Sequence, residues 1–176
     1  MPGDTRHPWS DRRRVGRDPS RPRTGKDGRV TVSIRSAHLD GDDRGAISRM
    51  LADYHLQTEG EKVAHGVTEP GELPERYAVE VREPASCFAG AEVIVADRDG
   101  DVIGMGVLHR AGADVELKQL WVAPAGRRPG AGSALMADTA HRAHLAGATA
   151  LRLSVWDWRA DALALHARQG FVEVPS

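Results

Sequence analysis

A single cysteine, Cys87, stands in 176 residues, so no internal disulfide can form and a reducing cytoplasm is the expected compartment. With nothing nearby to activate its thiol, Cys87 is expected to pack as a small buried hydrophobe. Long apolar runs are missing too: no stretch approaches the roughly 20 residues that a membrane-spanning helix needs. The leader "MPGDTRHPWSDRRRVGRDPSRPRTGKDG" has almost no aliphatic side chains and no apolar segment of the kind that marks a secretory signal. It cannot bury enough surface to offset the entropy of ordering, which predicts a disordered basic extension over residues 1–28.

Charge is balanced in total and uneven in placement. The formal net charge is -1, yet residues 1–26 hold eight Lys or Arg against three Asp, leaving 16 basic and 22 acidic residues elsewhere. An acidic body, with no interleaving of aromatic and basic residues, speaks against nucleic acid as the partner. Apolar residues make up 40% of the chain, enough for residues 29–176 to form one domain with a core of its own.

Periodicity then divides that domain. "RVTVSIRSA" alternates as a strand from Val30 to Arg35, and Ile47, Met50, Leu51 and Tyr54 recur at helical spacing behind aspartates that can cap a helix. Three prolines allow one short helix near Glu75 to Arg82. "AEVIVADRDGDVIGMGVLHR" reads as a hairpin around an Asp-Gly turn, and "VELKQLWVAP" as a third consecutive strand. Strand and helix alternate thereafter: an Ala-rich helix, the strand "ATALRLSVW", the helix "ADALALHARQG" and a last short strand, "FVEV". A meander followed by a βαβ-like unit implies an α/β (α+β) fold, a mixed and mostly antiparallel sheet with helices on both faces.

The join between the third strand and the Ala-rich helix is unusual. "WVAPAGRRPGAGSALM" places R-x-x-G-x-G, Arg127 to Gly132, at a helix entry, where free N–H groups and the dipole favour an anion. Its spacing fits neither G-x-G-x-x-G nor G-x-x-x-x-G-K-[ST], which disfavours dinucleotide and nucleoside-triphosphate loops. Taken alone, a turn of this composition also serves purely structural ends.

Together, "ELKQLWVAPAGRRPGAGSAL" and "RADALALHARQGF" resemble the two sequence motifs of the GNAT superfamily of N-acetyltransferases, in the right order and at the right separation. The resemblance covers nearly all of residues 30–174 and implies acetyl-CoA as cosubstrate, with no metal. It implies that Leu120, Trp121 and Val122 bind the pantetheine arm where the family's fourth and fifth strands splay apart. Amides from Arg128 through Pro129, Gly130, Ala131 and Gly132 to Ser133 would hold the pyrophosphate, with Arg127 and Arg128 adding charge. Pro129 departs from the pattern, because it has no N–H to donate.

Two further departures concern chemistry. The position of the family's acid tyrosine falls on His166, for which two readings stay open: an acid for the departing thiolate, or a packing residue that has lost the role. The family's asparagine falls on Arg159, which would meet a phosphate or a carboxylate. Glu116 lies where many relatives carry a proton-accepting glutamate, and an exposed strand carboxylate is the alternative. The chain stops at "VEVPS", and the family's usual final pair of strands is expected to be incomplete. Phe171 to Val174 are therefore expected to pair with the preceding strand and leave an open edge, or to be covered by a partner chain, with a homodimer as one outcome. The expected activity is acetyl transfer to a primary amine of a small molecule or a protein. The alternative is a catalytically inactive acyl-CoA-binding module.

Overall fold

Asp99 and Gly100 both take positive φ, 56° and 91°, as a two-residue hairpin turn requires, and they join β3 (Ala91–Arg98) to β4 (Asp101–Ala111). A second turn, with Gly112 at φ 64°, leads into β5 (Asp114–Val122) and completes the meander expected from the sequence. The computed structural model describes residues 12–17, 32–127 and 130–174. Ahead of the meander come β1 (Arg12–Arg17), β2 (Ser33–Ser36), α1 (Arg44–Ala64), α2 (Glu75–Arg82) and the single turn α3 (Pro84–Cys87). After it come α4 (Ala131–Leu145), β6 (Leu151–Trp156), α5 (Ala160–Arg168) and β7 (Val172–Val174).

The strands form one sheet in the order β2-β3-β4-β5-β6-β1-β7, antiparallel at every junction except the parallel pair β5 and β6. Both faces are covered. Ile94, Leu117, Leu135, Met136 and Leu151 are buried on the α4 side, whereas Ile47, Leu51, Val95, Met105 and Trp121 are buried on the α1 side. Neighbours Ile94 and Val95 enter different clusters because successive strand residues face opposite ways. Burial of one such side chain contributes about 1.5–3 kcal/mol. Among the described residues no helix is long and apolar enough to cross a membrane.

Three expectations need correction. The extension over 1–28 was expected to be disordered, yet Arg12–Arg17 form β1, antiparallel to β6 on one side and to β7 on the other. The remainder of that extension lies outside the described residues. An argument from side-chain burial misses such a strand, because its backbone bonds satisfy two otherwise open edges at once. For the same reason β7 does not pair with β6 as expected: β1 lies between them. Cys87, expected to be buried, is exposed at the end of α3.

Asp43 shows a smaller difference. It holds the N-cap position of α1, but its carboxylate makes no capping bond. Instead it accepts two N–H groups of Arg35, at 2.7 and 2.9 Å, and the backbone N–H of His38 at 2.8 Å. The guanidinium above all holds the Asp43 carboxyl down at about 2.

Candidate active site

The parallel ladder between β5 and β6 covers only Val115–Leu117 against Leu151–Leu153, and beyond it the strands part. A β-bulge in β5 accompanies the parting. Met105 of β4 lies opposite Trp121 and Val107 opposite Lys118, so Gln119 and Leu120 share the place opposite Gly106, with Gln119 at φ 39°. The extra residue inverts the alternation of side chains. Val115 and Leu117 pack on the α4 side, but after the bulge Trp121 turns to the α1 side, and Leu120 and Val122 to the α4 side. Between the parted strands opens a cavity of about 1300 Å³, bordered by Leu120, Trp121, Val122 and residues of α1 and α5.

From Val122 the chain passes through a 3-10 turn, Pro124–Gly126, to the start of α4. Gly126 is required by a close approach: a Cβ there would lie 2.8 Å from the carbonyl oxygen of Ile103. Gly130, at φ 87°, is the N-cap of α4, and no side chain of the described residues caps the helix. Its carbonyl accepts the N–H of Ala134 at 2.9 Å, so the amides of Ala131, Gly132 and Ser133 form the first turn, which lacks intrahelical acceptors. Gly132 borders the cavity, as does Arg127, whose Nε–H donates to the Val122 carbonyl at 3.1 Å and whose guanidinium lies 5.0 Å from the Trp121 ring centre. Arg128 and Pro129, expected in the same turn, lie outside the described residues.

Residues 53–171 match the sequence profile of the Acetyltransferase (GNAT) family. The chain belongs to that family, a family of acyltransferases. No curated protein matches its sequence. The fold is similar to that of a GCN5-related N-acetyltransferase from Kribbella flavida, with a TM-score of 0.61 and 17% identity over 94% of this chain and 55% of that one. It is also similar to a GCN5-related N-acetyltransferase from Sphaerobacter thermophilus, with a TM-score of 0.64 and 14% identity over 93% and 48% of the two chains. A Bacillus subtilis acetyltransferase in complex with CoA gives a TM-score of 0.57 and 18% identity over 81% and 77%. The chain thus spans only about half the length of the first two.

Within this GNAT domain the expected catalytic residues fall at different places. His166, on α5, borders the cavity, is 5% exposed, and has no partner for its Nδ1 among the described residues. Burial lowers its pKa to about 4, so the ordinary histidine value that suits acid chemistry near neutrality does not apply here. Glu116 also borders the cavity, but it stands opposite Arg152 in the parallel ladder, with Lys118 Nζ 3.5 Å from its carboxylate. The bulge is three residues further on. Arg159, at the N-cap of α5, meets a carboxylate: its Nε–H donates to Glu61 Oε2 at 2.6 Å and its Nη2 to Thr58 Oγ1 at 2.9 Å. Trp158 Nε1 donates to the same Glu61 oxygen at 3.2 Å, and its ring stacks between those of Trp156 and His65.

Sequence reasoning missed a polar cluster beside the bulge. His55 of α1, only 2% exposed, places Nε2 2.7 Å from Glu80 Oε2 of α2, and Gln119 donates its Nε2–H to the same oxygen at 3.2 Å. The Tyr77 ring stacks on His55 at 4.2 Å. For His55 a signal was available, since it lies four residues after Leu51 on the apolar stripe of α1. Glu80 gave none, because a glutamate in a short helix between prolines reads as a solvated side chain.

Proposed function

We infer that the protein transfers an acetyl group from acetyl-CoA to a primary amine of a small molecule or a protein, in the cytoplasm. The observation that carries this reading is the cavity between the parted β5 and β6, which leads directly to the uncapped, glycine-marked start of α4. Such a helix start suits a pyrophosphate: Ala131, Gly132 and Ser133 offer N–H groups, the dipole favours negative charge, and Arg127 adds a cation. Leu120, Trp121 and Val122 present an apolar strand without a β6 partner, which suits an extended pantetheine arm. Acetyl-CoA supplies an acyl group activated as a thioester, with a thiolate as leaving group.

The chain's own residues then orient and exclude water. The half-buried strand after the bulge aligns the arm, and the tryptophans at the end of β6 wall the cavity. His166, uncharged at neutral pH, is suited to donate a hydrogen bond from Nδ1–H to the departing sulfur. A second reading, an acyl-CoA-binding module without turnover, is favoured by that same residue, since a neutral imidazole is a weak proton donor.

Thermal unfolding with CoA and acetyl-CoA, followed by thiol release over a panel of amines, tests both readings. A rise in Tm with acetyl-CoA together with amine-dependent thiol release supports transfer. A rise without release supports the binding module, and no rise removes both.

A further inference from the structure

We propose that Glu80 and the side-chain carbonyl of Gln119 form the subsite that receives the acceptor's amino group, with Glu80 taking its proton. This rests on the acetyl-transfer reading above and names the residues that read the acceptor.

The orientation of Gln119 is fixed by chemistry. An ionised carboxylate only accepts, so the amide nitrogen must be the atom that faces Glu80 Oε2, and the carbonyl Oε1 must point away. That Oε1 is buried and has no partner among the described residues. A buried carbonyl without a donor calls for a ligand that brings an N–H or O–H. The bulge that aims this side chain holds a non-glycine residue at φ 39°, a conformation retained at sites under tight constraint.

Charge points to the same ligand. Glu59 is paired with Lys62, Glu61 with Arg159, and Glu116 with Lys118. Glu80 is bonded by an imidazole and an amide, both through Oε2, and among the described residues Oε1 makes no hydrogen bond. No Lys or Arg of the described residues makes an ion pair with it. A cationic primary amine therefore finds here a carboxylate that no ammonium or guanidinium of the described residues meets at ion-pair distance, Arg76 acting on it only at longer range, and a second acceptor, Oε1 of the Gln119 amide that is bonded to it.

Position along the strand agrees. The pyrophosphate cradle follows Val122, so an arm running back along Val122, Trp121 and Leu120 reaches Gln119 at its acyl end. His55, Tyr77 and Gln119 line the cavity there. Glu116 lies roughly 10 Å further back, at about 3.3 Å per strand residue.

The ammonium gives one proton to Glu80 Oε1, and the freed nitrogen lone pair forms a bond to the thioester carbonyl carbon. A remaining N–H donates to Gln119 Oε1. The carbon–sulfur bond then breaks, its electron pair leaves on sulfur, and the second proton lost by nitrogen ends on that sulfur. Glu80 returns its proton to solvent, so ammonium and thioester give amide, thiol and one proton.

Steady-state kinetics of the full chain with acetyl-CoA and the best amine from the panel test this subsite. Glu80→Gln is expected to keep the acetyl-CoA-induced rise in Tm and to lose about 100-fold or more in kcat/KM for the amine. Gln119→Leu is expected to raise KM for the amine about tenfold with a smaller fall in kcat. Retention of full kcat/KM in Glu80→Gln, or a larger loss in Glu116→Gln, overturns the role of Glu80. An unchanged KM in Gln119→Leu overturns that of the carbonyl. If Glu80→Gln does not fold, Glu80→Asp, which keeps the charge on a side chain one methylene shorter, is expected to keep the acetyl-CoA-induced rise in Tm and to lose about tenfold in kcat/KM for the amine; full kcat/KM in that variant overturns the proposal. No acetyl-CoA response in the native protein defeats the acetyl-transfer reading itself and takes the subsite with it.

Discussion

Arg159 Nε lies 2.6 Å from Glu61 Oε2 and ties the entry to α5 to the last turn of α1. Burial alone would raise the Glu61 pKa, but bonds from Arg159, Gln57 and Trp158 outweigh it and hold the carboxyl below its ordinary value. Its contribution is therefore present above the unfolded pKa and is lost as pH falls through the folded one. Both side chains are partly buried, so charge-assisted hydrogen bonds here are expected to contribute about 1–3 kcal/mol. A double-mutant cycle with Glu61→Ala and Arg159→Ala, read by urea unfolding, should show a coupling of that order. Because the guanidinium is held by this carboxylate, Arg159→Ala should leave the acetyl-CoA-induced rise in Tm nearly unchanged; loss of that rise would return Arg159 to the cofactor.

His166 makes a second, pH-dependent prediction. In the unfolded chain its imidazole takes a proton near 6.5, whereas in the folded protein burial delays this to about 4. Between these values the unfolded state binds more protons, so stability is complete above 6.5 and declines as pH falls toward 4. The decline should total about 3 kcal/mol at 1.36 kcal/mol per pKa unit. His166→Phe should flatten that part of the profile in chemical denaturation at pH 4.5 and 7. An NMR titration of the native protein should find the ring uncharged down to pH 5; protonation near 6.5 would contradict the burial argument and restore acid chemistry to His166.

These two residues also mark how far sequence reading reached. Meander, Ala-rich helix and the glycine at that helix's entry were legible because periodicity and turn chemistry are local: Asp99-Gly100 and Gly130 adopt the backbone their neighbours announce. The position of His166 was legible, but its charge state was not, because the burial that lowers its pKa, beside the Phe171 ring, arises only on folding. Glu80 and Gln119 are 39 residues apart and meet only through the bulge. Strand β1 was hidden for a related reason: its partners, β6 and β7, lie more than a hundred residues along the chain, and its pairing is a backbone matter that composition does not record.

That strand yields a third prediction. Residues Arg14, Val15 and Gly16 are paired on both sides, so their backbone N–H groups lie within ladders rather than at an edge. Val15→Pro removes one donor there and is expected to cost about 2 kcal/mol, the lost bond together with the acceptor left unpaired. Removing residues 1–17 should expose the facing edges of β6 and β7 and favour self-association, visible as a larger species in size-exclusion chromatography with light scattering. A truncated protein that stays monomeric with unchanged Tm would show that β1 does not contribute to the sheet.

Gly126, ahead of α4, and Gly132, in its first turn, predict opposite outcomes. At Gly126 a Cβ would lie 2.8 Å from the Ile103 carbonyl oxygen and 2.9 Å from the Ile103 Cβ, a backbone atom and a side-chain atom fixed directly to the backbone, neither of which can yield without moving β4 or the turn. Gly126→Ala should therefore cost about 1–3 kcal/mol, as overpacking does, and should displace Arg127 and weaken acetyl-CoA binding in the same step. At Gly132 the nearest atom to a new Cβ is Leu165 Cδ2 at 3.4 Å, ordinary van der Waals contact with the end of a side chain. Replacing glycine by alanine inside a helix gains up to about 1 kcal/mol, so Gly132→Ala should be as stable as the native protein or more so. Calorimetric Tm and acetyl-CoA affinity, measured on both variants, separate the two effects: a Gly126→Ala protein with native Tm would show that the turn has room the close approach to Ile103 denies.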